Sequence, residues 1–205
     1  MINNNSLYEH YCNTNEKISE KIKERNKFFV FIFIPIILLL FLSPSFDSFR
    51  KLFIDFFLNN YKINVSNCIE IIELILWIGL LYFTIRYCQA NVYIERTYFY
   101  ITKLENTLKD KYEFNILLES KIYLDDYPLI LSFIDKIYKY LFPFLYIVFL
   151  IFKMSSLFIS NMAICLHVFD FLIGLLCFIQ ILIYLFFIFD IDKVYTKESK
   201  KVKGV

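Results

Sequence analysis

Charged residues inside apolar segments are the first candidates for chemistry in this sequence. Glu70 and Glu73 lie near the start of the apolar segment 68–87, and Lys153 lies inside the apolar segment 140–159. Ionisable groups at membrane depth are costly to bury and commonly mark functional sites. These three residues are therefore candidates for a functional or structural role inside the membrane.

Residue counting places two of these groups at a common depth. With Arg86 as the inner boundary of its segment, Glu73 lies thirteen residues further along a helix, ~20 Å at the usual rise. Lys153 lies the same distance from Tyr140. We therefore expect Glu73 and Lys153 to pair, which lowers the cost of burying each. The alternative is that Glu70 and Glu73 favour the positive end of a helix dipole while Lys153 extends to the membrane surface.

The last apolar segment carries polar residues on one helical face. Small and polar side chains recur there at alternating spacings of four and three residues, at Ala163, His167, Asp170, Gly174, Cys177, Ile181 and Tyr184. Such a face is typical of helix–helix contacts in lipid. His167 and Asp170 offer a proton relay or half of a metal site, and the alternative is an interfacial or packing role. Gln180 is expected to donate an interhelical hydrogen bond.

No sequence motif indicates catalysis. The chain contains no nucleophile elbow, zinc-protease motif, phosphate-binding loop or dinucleotide fingerprint. Its five cysteines show no metal-binding spacing, and we predict no catalytic residue, metal or cofactor. The net charge of +2 gives no support to nucleic-acid binding, so we predict that the protein is not an enzyme and has no nucleic-acid partner.

The composition predicts that helices in a lipid bilayer position these residues. Apolar residues make up 59% of the 205, mean hydropathy is +0.55, and the chain has only 3 Gly and 4 Pro. A soluble domain is about 45–50% apolar. We predict an all-α fold: a polytopic membrane helical bundle of four transmembrane helices, with a cytoplasmic helical hairpin and an outer interfacial amphipathic helix.

Five consecutive regions follow from the pattern along the chain. They are a polar N-terminal tail or helix (1–27), a region with the first span, the interfacial helix 46–59 and the second span (28–87), the helical hairpin (88–139), the third and fourth spans (140–190) and a basic tail (191–205). Helical spacing of apolar residues continues beyond the second span to Leu108, which predicts one long helix leaving the membrane.

The first span is the shortest of the four. Its apolar block covers residues 28–42, ~22 Å of helix, whereas a full crossing needs about 20 residues. A cleaved signal peptide is the alternative interpretation, but the preceding segment carries four Glu and no small-residue cleavage site follows.

The distribution of Lys and Arg predicts the orientation. Eighteen of the 22 lie in the two tails and in the stretch from Arg86 to Lys139, and four lie elsewhere. Positive charge is enriched on the cytoplasmic side. We therefore expect a multi-pass protein of the cell membrane with both termini and residues 88–139 in the cytoplasm.

Two segments carry a resemblance to known proteins. YIERTYFYITKLENTL and KIYLDDYPLILSFIDKIYKYLFPFLY lie within residues 86–146, which resemble uncharacterised bacterial four-span membrane proteins. The layout is loosely similar to that of SLATT-type membrane effector modules, although four spans differ from the two of such a module. The resemblance implies a membrane-acting effector and carries over no functional residue.

Two functions fit these features. In the first, the protein is a non-enzymatic membrane effector or small oligomeric channel with a cytoplasmic sensing hairpin, in which Glu70, Glu73 and Asp170 surround the outer mouth. In the second, it is an accessory membrane subunit that docks a soluble partner through residues 88–139. The predicted partners are therefore the lipid bilayer, further copies of the chain, or a soluble cytoplasmic protein.

Overall fold

The computed structural model describes residues 4–43, 46–62, 68–112, 129–159 and 164–202. Within these ranges, side chains are described except at 4–7, 106, 108–112, 129–132, 157–159, 164–167 and 194–202. Every regular element among the described residues is helical. The predicted break at 113–126 and the predicted helix start at Asp126–Pro128 lie outside the described residues.

The described residues form six α-helices and one π-helical turn. In order they are α1 (Asn4–Phe41), α2 (Asp47–Tyr61), α3 (Ile69–Tyr112), α4 (Leu129–Lys136), the π-turn (Ile137–Leu141), α5 (Phe142–Ile159) and α6 (Ile164–Val202). The 44 residues of α3 form one uninterrupted helix, as the helical spacing beyond Arg86 predicts.

Three helical segments of the described chain are long and apolar enough to cross a membrane. They are Ile69–Glu105, Phe133–Ser156 and Val168–Lys193. The predicted first span is not among them, because the apolar part of α1 runs only from residue 28 to the helix end at Phe41. That length is ~21 Å, short of the ~30 Å hydrocarbon core. The preceding turn contains Glu24, Arg25 and Lys27.

The helix predicted at 46–59 is α2, and no residue in it is buried. Its exposed apolar side chains include Phe49, Leu52 and Phe56. Asp47 pairs with Lys51 one turn later at 2.8 Å, and its hydrogen bond and negative charge raise the pKa of Lys51. The helix ends at Tyr61; the next residue, Lys62, donates its N–H to Leu58 O and has a left-handed φ of 57°, typical of the residue that follows a helix. The position of α2 in a membrane interface stays a prediction.

The chain contacts divide into two compact units. Unit 1 contains Met1–Asn26, Cys88–Phe142 and Tyr184–Val205, and unit 2 contains Lys27–Tyr87 and Pro143–Ile183. The core of unit 2 is mainly apolar and includes Ile32, Leu39, Trp77, Leu80, Tyr146, Leu150, Cys177 and Ile181. The core of unit 1 includes Ile18, Ile94 and Ile101, and among its buried polar residues are Thr14, Arg25, Asn91, Glu95 and Glu105.

In both units, buried positions recur every three or four residues along each long helix. In unit 2, α3 buries Trp77, Leu80 and Thr84, and α6 buries Asp170, Cys177 and Ile181. This spacing presents one face of a helix to its neighbours and is typical of helix bundles. The face predicted for the fourth span is therefore the one that α6 buries, at least from Asp170 onward.

Candidate functional site

Glu73 and Lys153 lie together in the interior of unit 2. The Nζ of Lys153 is 3.9 Å from Oε1 of Glu73, and the two side chains are 0% and 7% exposed. Lys153 also donates a hydrogen bond of 2.9 Å to the main-chain O of Leu39. The ammonium group is thus held inside the unit by a carboxylate on α3 and a carbonyl on α1, which argues against the alternative in which Lys153 extends to the membrane surface.

The carbonyl of Leu39 is an acceptor that an α-helix leaves open at its carboxyl end. The last four carbonyls of a helix have no partner within it, and Leu39 lies two residues before the end of α1 at Phe41. The neighbouring Ser156 Oγ donates to Lys153 O at 2.7 Å, and Ser43 Oγ lies 3.5 Å from Ser156 Oγ. The end of α1 is therefore joined to α5 through polar contacts.

Asp170 is the third charged residue of this interior. It is 2% exposed, and its Oδ1 accepts no hydrogen bond from the described residues. Glu73 and Lys153 both act on it electrostatically. We name Glu73, Lys153 and Asp170 the buried charge cluster.

A glycine permits α6 to approach its neighbours one turn after Asp170. A Cβ added at Gly174 would lie 3.3 Å from the ring of Trp77 and 3.4 Å from Cγ of Met154. Trp77 lies one turn after Glu73 on α3, and Met154 follows Lys153 on α5. The absence of a side chain at Gly174 therefore lets α3, α5 and α6 pack closely beside the buried charge cluster.

Two further charged residues lie near the buried charge cluster and are partly exposed. Glu70, one turn before Glu73, acts electrostatically on Asp170. Arg50 of α2 acts in the same way on Lys153. The structure thus places Glu70 at the border of the interior that contains Glu73 and Asp170. Arg50 was not among the predicted site residues.

All three members of the buried charge cluster lie within six residues of a helix end. Glu73 is four residues after α3 begins at Ile69, Asp170 is six after α6 begins at Ile164, and Lys153 is six before α5 ends at Ile159. At ~1.5 Å per residue, these separations are about 6–9 Å along the helix axis. The cluster is thus shielded by side chains but close to helix ends.

The other predicted site residues are not brought into this interior by any described contact. Gln180 is partly buried on α6. The guanidinium of Arg86 lies over the ring of Phe28, 5.5 Å from its centroid. His167 belongs to α6 one turn before Asp170, but its side chain lies outside the described residues. Across the described part of the chain, no group of three His, Cys, Asp or Glu residues is arranged to hold a metal ion.

Unit 1 contains a second group of charged contacts, around the π-turn. Lys139 bridges Glu95 of α3 at 2.9 Å and Asp135 of α4 at 2.7 Å. The preceding residue, Tyr138, lies under the guanidinium of Arg25 with 4.2 Å to the ring centroid, and the next, Tyr140, donates a hydrogen bond to Asp192. Three successive residues of the π-turn thus contact α1, α3 and α6.

The π-turn has a local cause. Pro143 has no N–H to donate, and its ring would collide with the carbonyl four residues earlier in a regular helix. Just before it, the N–H of Phe142 donates to Ile137 O, five residues back. Such turns are frequent at functional sites. The proline was visible in the sequence, but the contacts of Tyr138, Lys139 and Tyr140 with other helices were not.

Chemically, the buried charge cluster has two carboxyl groups and one amine in apolar surroundings, a combination suited to binding or moving a cation or a proton. The contacts around the π-turn are suited to joining helices. No protein-family model, curated protein or solved structure matches this chain.

Proposed function

We propose that the protein is a non-enzymatic effector of the cell membrane, which crosses the bilayer four times and changes its permeability in response to a cytoplasmic signal. The observation that carries this proposal is the buried charge cluster of unit 2. Three ionisable side chains held in the apolar interior of a membrane protein are expensive to maintain, and such groups commonly line or control ion pathways.

The resting state in this proposal is closed. Glu73 and Asp170 are 5% and 2% exposed within a single chain, so they do not face a neighbouring copy. Lys153 lies against Glu73 and the end of α1. Opening therefore requires these helices to separate, with or without assembly of several copies.

The four-span topology belongs to this proposal. Its first span is the apolar part of α1, which packs inside unit 2 through Ile32 and Leu39 and contacts Lys153. Such contacts support a short crossing helix that is partly shielded by its neighbours and accommodated by local thinning of the bilayer. The Lys and Arg distribution supports an orientation with both tails and residues 88–139 in the cytoplasm.

The contacts within unit 1 support a role in sensing. The amino-terminal part of α1 runs beside α3, where Tyr11 donates to Glu105 at 3.2 Å and His10 lies 3.0 Å from the hydroxyl of Tyr100. Together with the π-turn contacts, these polar links hold helices by exchangeable hydrogen bonds and ion pairs. A signal that binds here can rearrange them at modest cost.

Inducible expression in bacterial cells loaded with a membrane-potential dye tests the proposal. We expect depolarisation in the wild type and a changed response in Lys153→Met, which removes the only positive charge of the buried charge cluster. Lys51→Met is the matched control, since Lys51 is exposed on α2. If neither the wild type nor Lys153→Met depolarises the cells under any tested stimulus, the effector function is contradicted.

A second candidate is an accessory membrane subunit that docks a soluble partner. It is favoured by exposed tyrosines on unit 1, at Tyr8, Tyr93 and Tyr100, since aromatic residues are enriched at protein interfaces. Absence of depolarisation together with a stable co-purifying soluble protein, lost on triple Tyr→Ser substitution, supports this candidate instead.

A further inference from the structure

The charge balance of the buried charge cluster is incomplete. Glu73 and Asp170 carry one negative charge each when ionised and Lys153 one positive charge, which leaves a net charge of −1 in an apolar interior. The partly exposed neighbours Glu70 and Arg50 have opposite charges and do not alter this sum. An uncompensated charge that is removed from water is strongly destabilising.

Among the described residues, the contacts leave one oxygen of the cluster unpaired. Lys153 has its partners in Glu73 and the carbonyl of Leu39. Oδ1 of Asp170 is buried and accepts no hydrogen bond from the described residues. This oxygen is therefore the acceptor that the cluster leaves unused.

A proton fits this acceptor better than a metal cation. A proton needs a single oxygen, whereas hard cations such as Mg²⁺ and Ca²⁺ take roughly six to eight oxygen ligands. The Lys153 ammonium in the same interior also repels a metal cation, and the described residues offer no set of three metal-ligating side chains.

We propose that the buried charge cluster is a proton-binding site, in which Asp170 holds one proton and Glu73 is the second acceptor. The inference deepens the proposed function, because binding of the proton makes the cluster neutral and release of the proton leaves a buried net charge that favours separation of α3, α5 and α6. Glu70 lies one turn before Glu73, is partly exposed, and stands between the cluster and the start of α3 at Ile69. Protons therefore exchange from that side, which the proposed topology makes the outer side.

Carbodiimide labelling of the purified full-length protein in lipid nanodiscs tests the site. Dicyclohexylcarbodiimide reacts with protonated carboxyl groups in apolar surroundings, and peptide mass spectrometry locates the adduct. We expect labelling of Asp170, or of Glu73 as the second acceptor, that declines as pH rises. Labelling of Asp170 is lost in Asp170→Asn and retained in Asp55→Asn, a matched control because Asp55 is exposed on α2.

Two labelling results overturn the inference. The first is the absence of an adduct at both Asp170 and Glu73 across the whole pH range in the wild type, a result that needs no variant to fold. The second is protection from the reagent by Na⁺ or K⁺ at constant pH, which assigns the site to a metal cation.

Fluorescence of Trp77 provides a second readout. It is the only tryptophan of the chain, it is fully buried, and it lies one turn after Glu73. We expect its emission to change with pH in the wild type and in Asp55→Asn, and to lose this dependence in Asp170→Asn. An identical titration in Asp170→Asn contradicts the proposal. Neither readout requires ion flow, so failure of the permeability assay and failure of the proton site are separate outcomes.

Discussion

Lys153 donates a 2.9 Å hydrogen bond to the main-chain oxygen of Leu39, although 114 positions separate the two residues in the sequence. The bond connects a fully buried ammonium group on α5 with the open carbonyl end of α1. It shows how a short apolar helix becomes part of unit 2: its end supplies an acceptor that a lysine in an apolar interior needs. Burial of Lys153 and packing of the end of α1 in unit 2 thus depend on the same hydrogen bond.

The first prediction concerns the stability supplied by Lys153. Lys153→Met leaves the Glu73 carboxylate buried without its counter-charge, and loss of one partner of a buried ion pair costs about 3–5 kcal/mol. We expect a clearly lower midpoint of thermal unfolding in nanodiscs. Lys51→Met should stay within about 0.5 kcal/mol of the wild type, because Lys51 is exposed.

Charge reversal distinguishes pairing from mere burial. If Glu73 and Lys153 stabilise each other, the double substitution Glu73→Lys with Lys153→Glu should be more stable than either single reversal. A double variant no better than the worse single one would show that the 3.9 Å contact contributes no pairing energy.

The second prediction compares the two glycines whose surroundings are described in unit 2. A side chain at Gly174 meets Trp77 and Met154, whereas nothing lies within 4 Å of a Cβ at Gly79. Gly174→Leu should therefore cost about 1–3 kcal/mol through overpacking. Gly79→Leu should be neutral or stabilising, since leucine favours helix over glycine by nearly 1 kcal/mol. Equal unfolding midpoints for the two variants would contradict close packing at Gly174.

The sequence allowed prediction of the parts of the site that depend on helical periodicity. Glu73 and Lys153 could be paired because both distances were counted along straight helices from recognisable boundaries. The buried face of α6 followed from small and polar residues at three- and four-residue spacing, from Asp170 to Tyr184. These features repeat with the period of one helix, so one sequence is sufficient to locate them.

Contacts that depend on how helices meet could not be predicted. The alternatives for Asp170 included an interfacial or packing role, and its place beside Glu73 and Lys153 depends on Gly174, which lets α6 approach Trp77. The acceptor at Leu39 is a main-chain oxygen, which every residue has, so no residue type in the sequence marks it. The π-turn adds a residue to one helical turn, which changes the directions of Lys139 and Tyr140 relative to a regular helix.

The third prediction concerns the hydrogen bond between Thr84 and Tyr146. The two hydroxyl oxygens are 2.9 Å apart in the core of unit 2, and Thr84 Oγ1 is also 2.7 Å from Leu80 O. Tyr146→Phe should cost roughly 1 kcal/mol, the usual value of one such bond. Tyr82→Phe is the control, since Tyr82 is 54% exposed. Equal stability of both variants in the same unfolding assay would argue that the Tyr146 hydroxyl is satisfied equally well by water.

The fourth prediction concerns the ion pair of Lys139 with Glu95 in unit 1. A double-mutant cycle with Glu95→Gln and Lys139→Met should give a coupling energy of about 0.5–3 kcal/mol, because the two side chains are only 8% and 15% exposed. Lys136→Met in place of Lys139→Met is the control, since Lys136 is exposed on α4. Additive effects of Glu95→Gln and Lys139→Met would show that Asp135 alone accounts for the position of the lysine.

The fifth prediction tests whether α1 crosses the membrane, and two natural cysteines make the test simple. Cys12 and Cys68 are both exposed, and they lie on either side of the apolar part of α1. If α1 crosses, these thiols are on opposite faces of the bilayer, with Cys68 outside and Cys12 in the cytoplasm.

Variants that retain a single cysteine and have serine at the other four positions separate the two topologies. A membrane-impermeant maleimide added to intact cells, with the outer membrane made permeable where the host has one, should label Cys68 and leave Cys12 unlabelled. Lysis should make Cys12 reactive, which controls for a thiol that is simply shielded. Labelling of both thiols in intact cells, or of neither before lysis, would place them on the same face. In that arrangement α1 enters and leaves on one side, and the chain crosses the bilayer only through the three helices that are long enough by themselves.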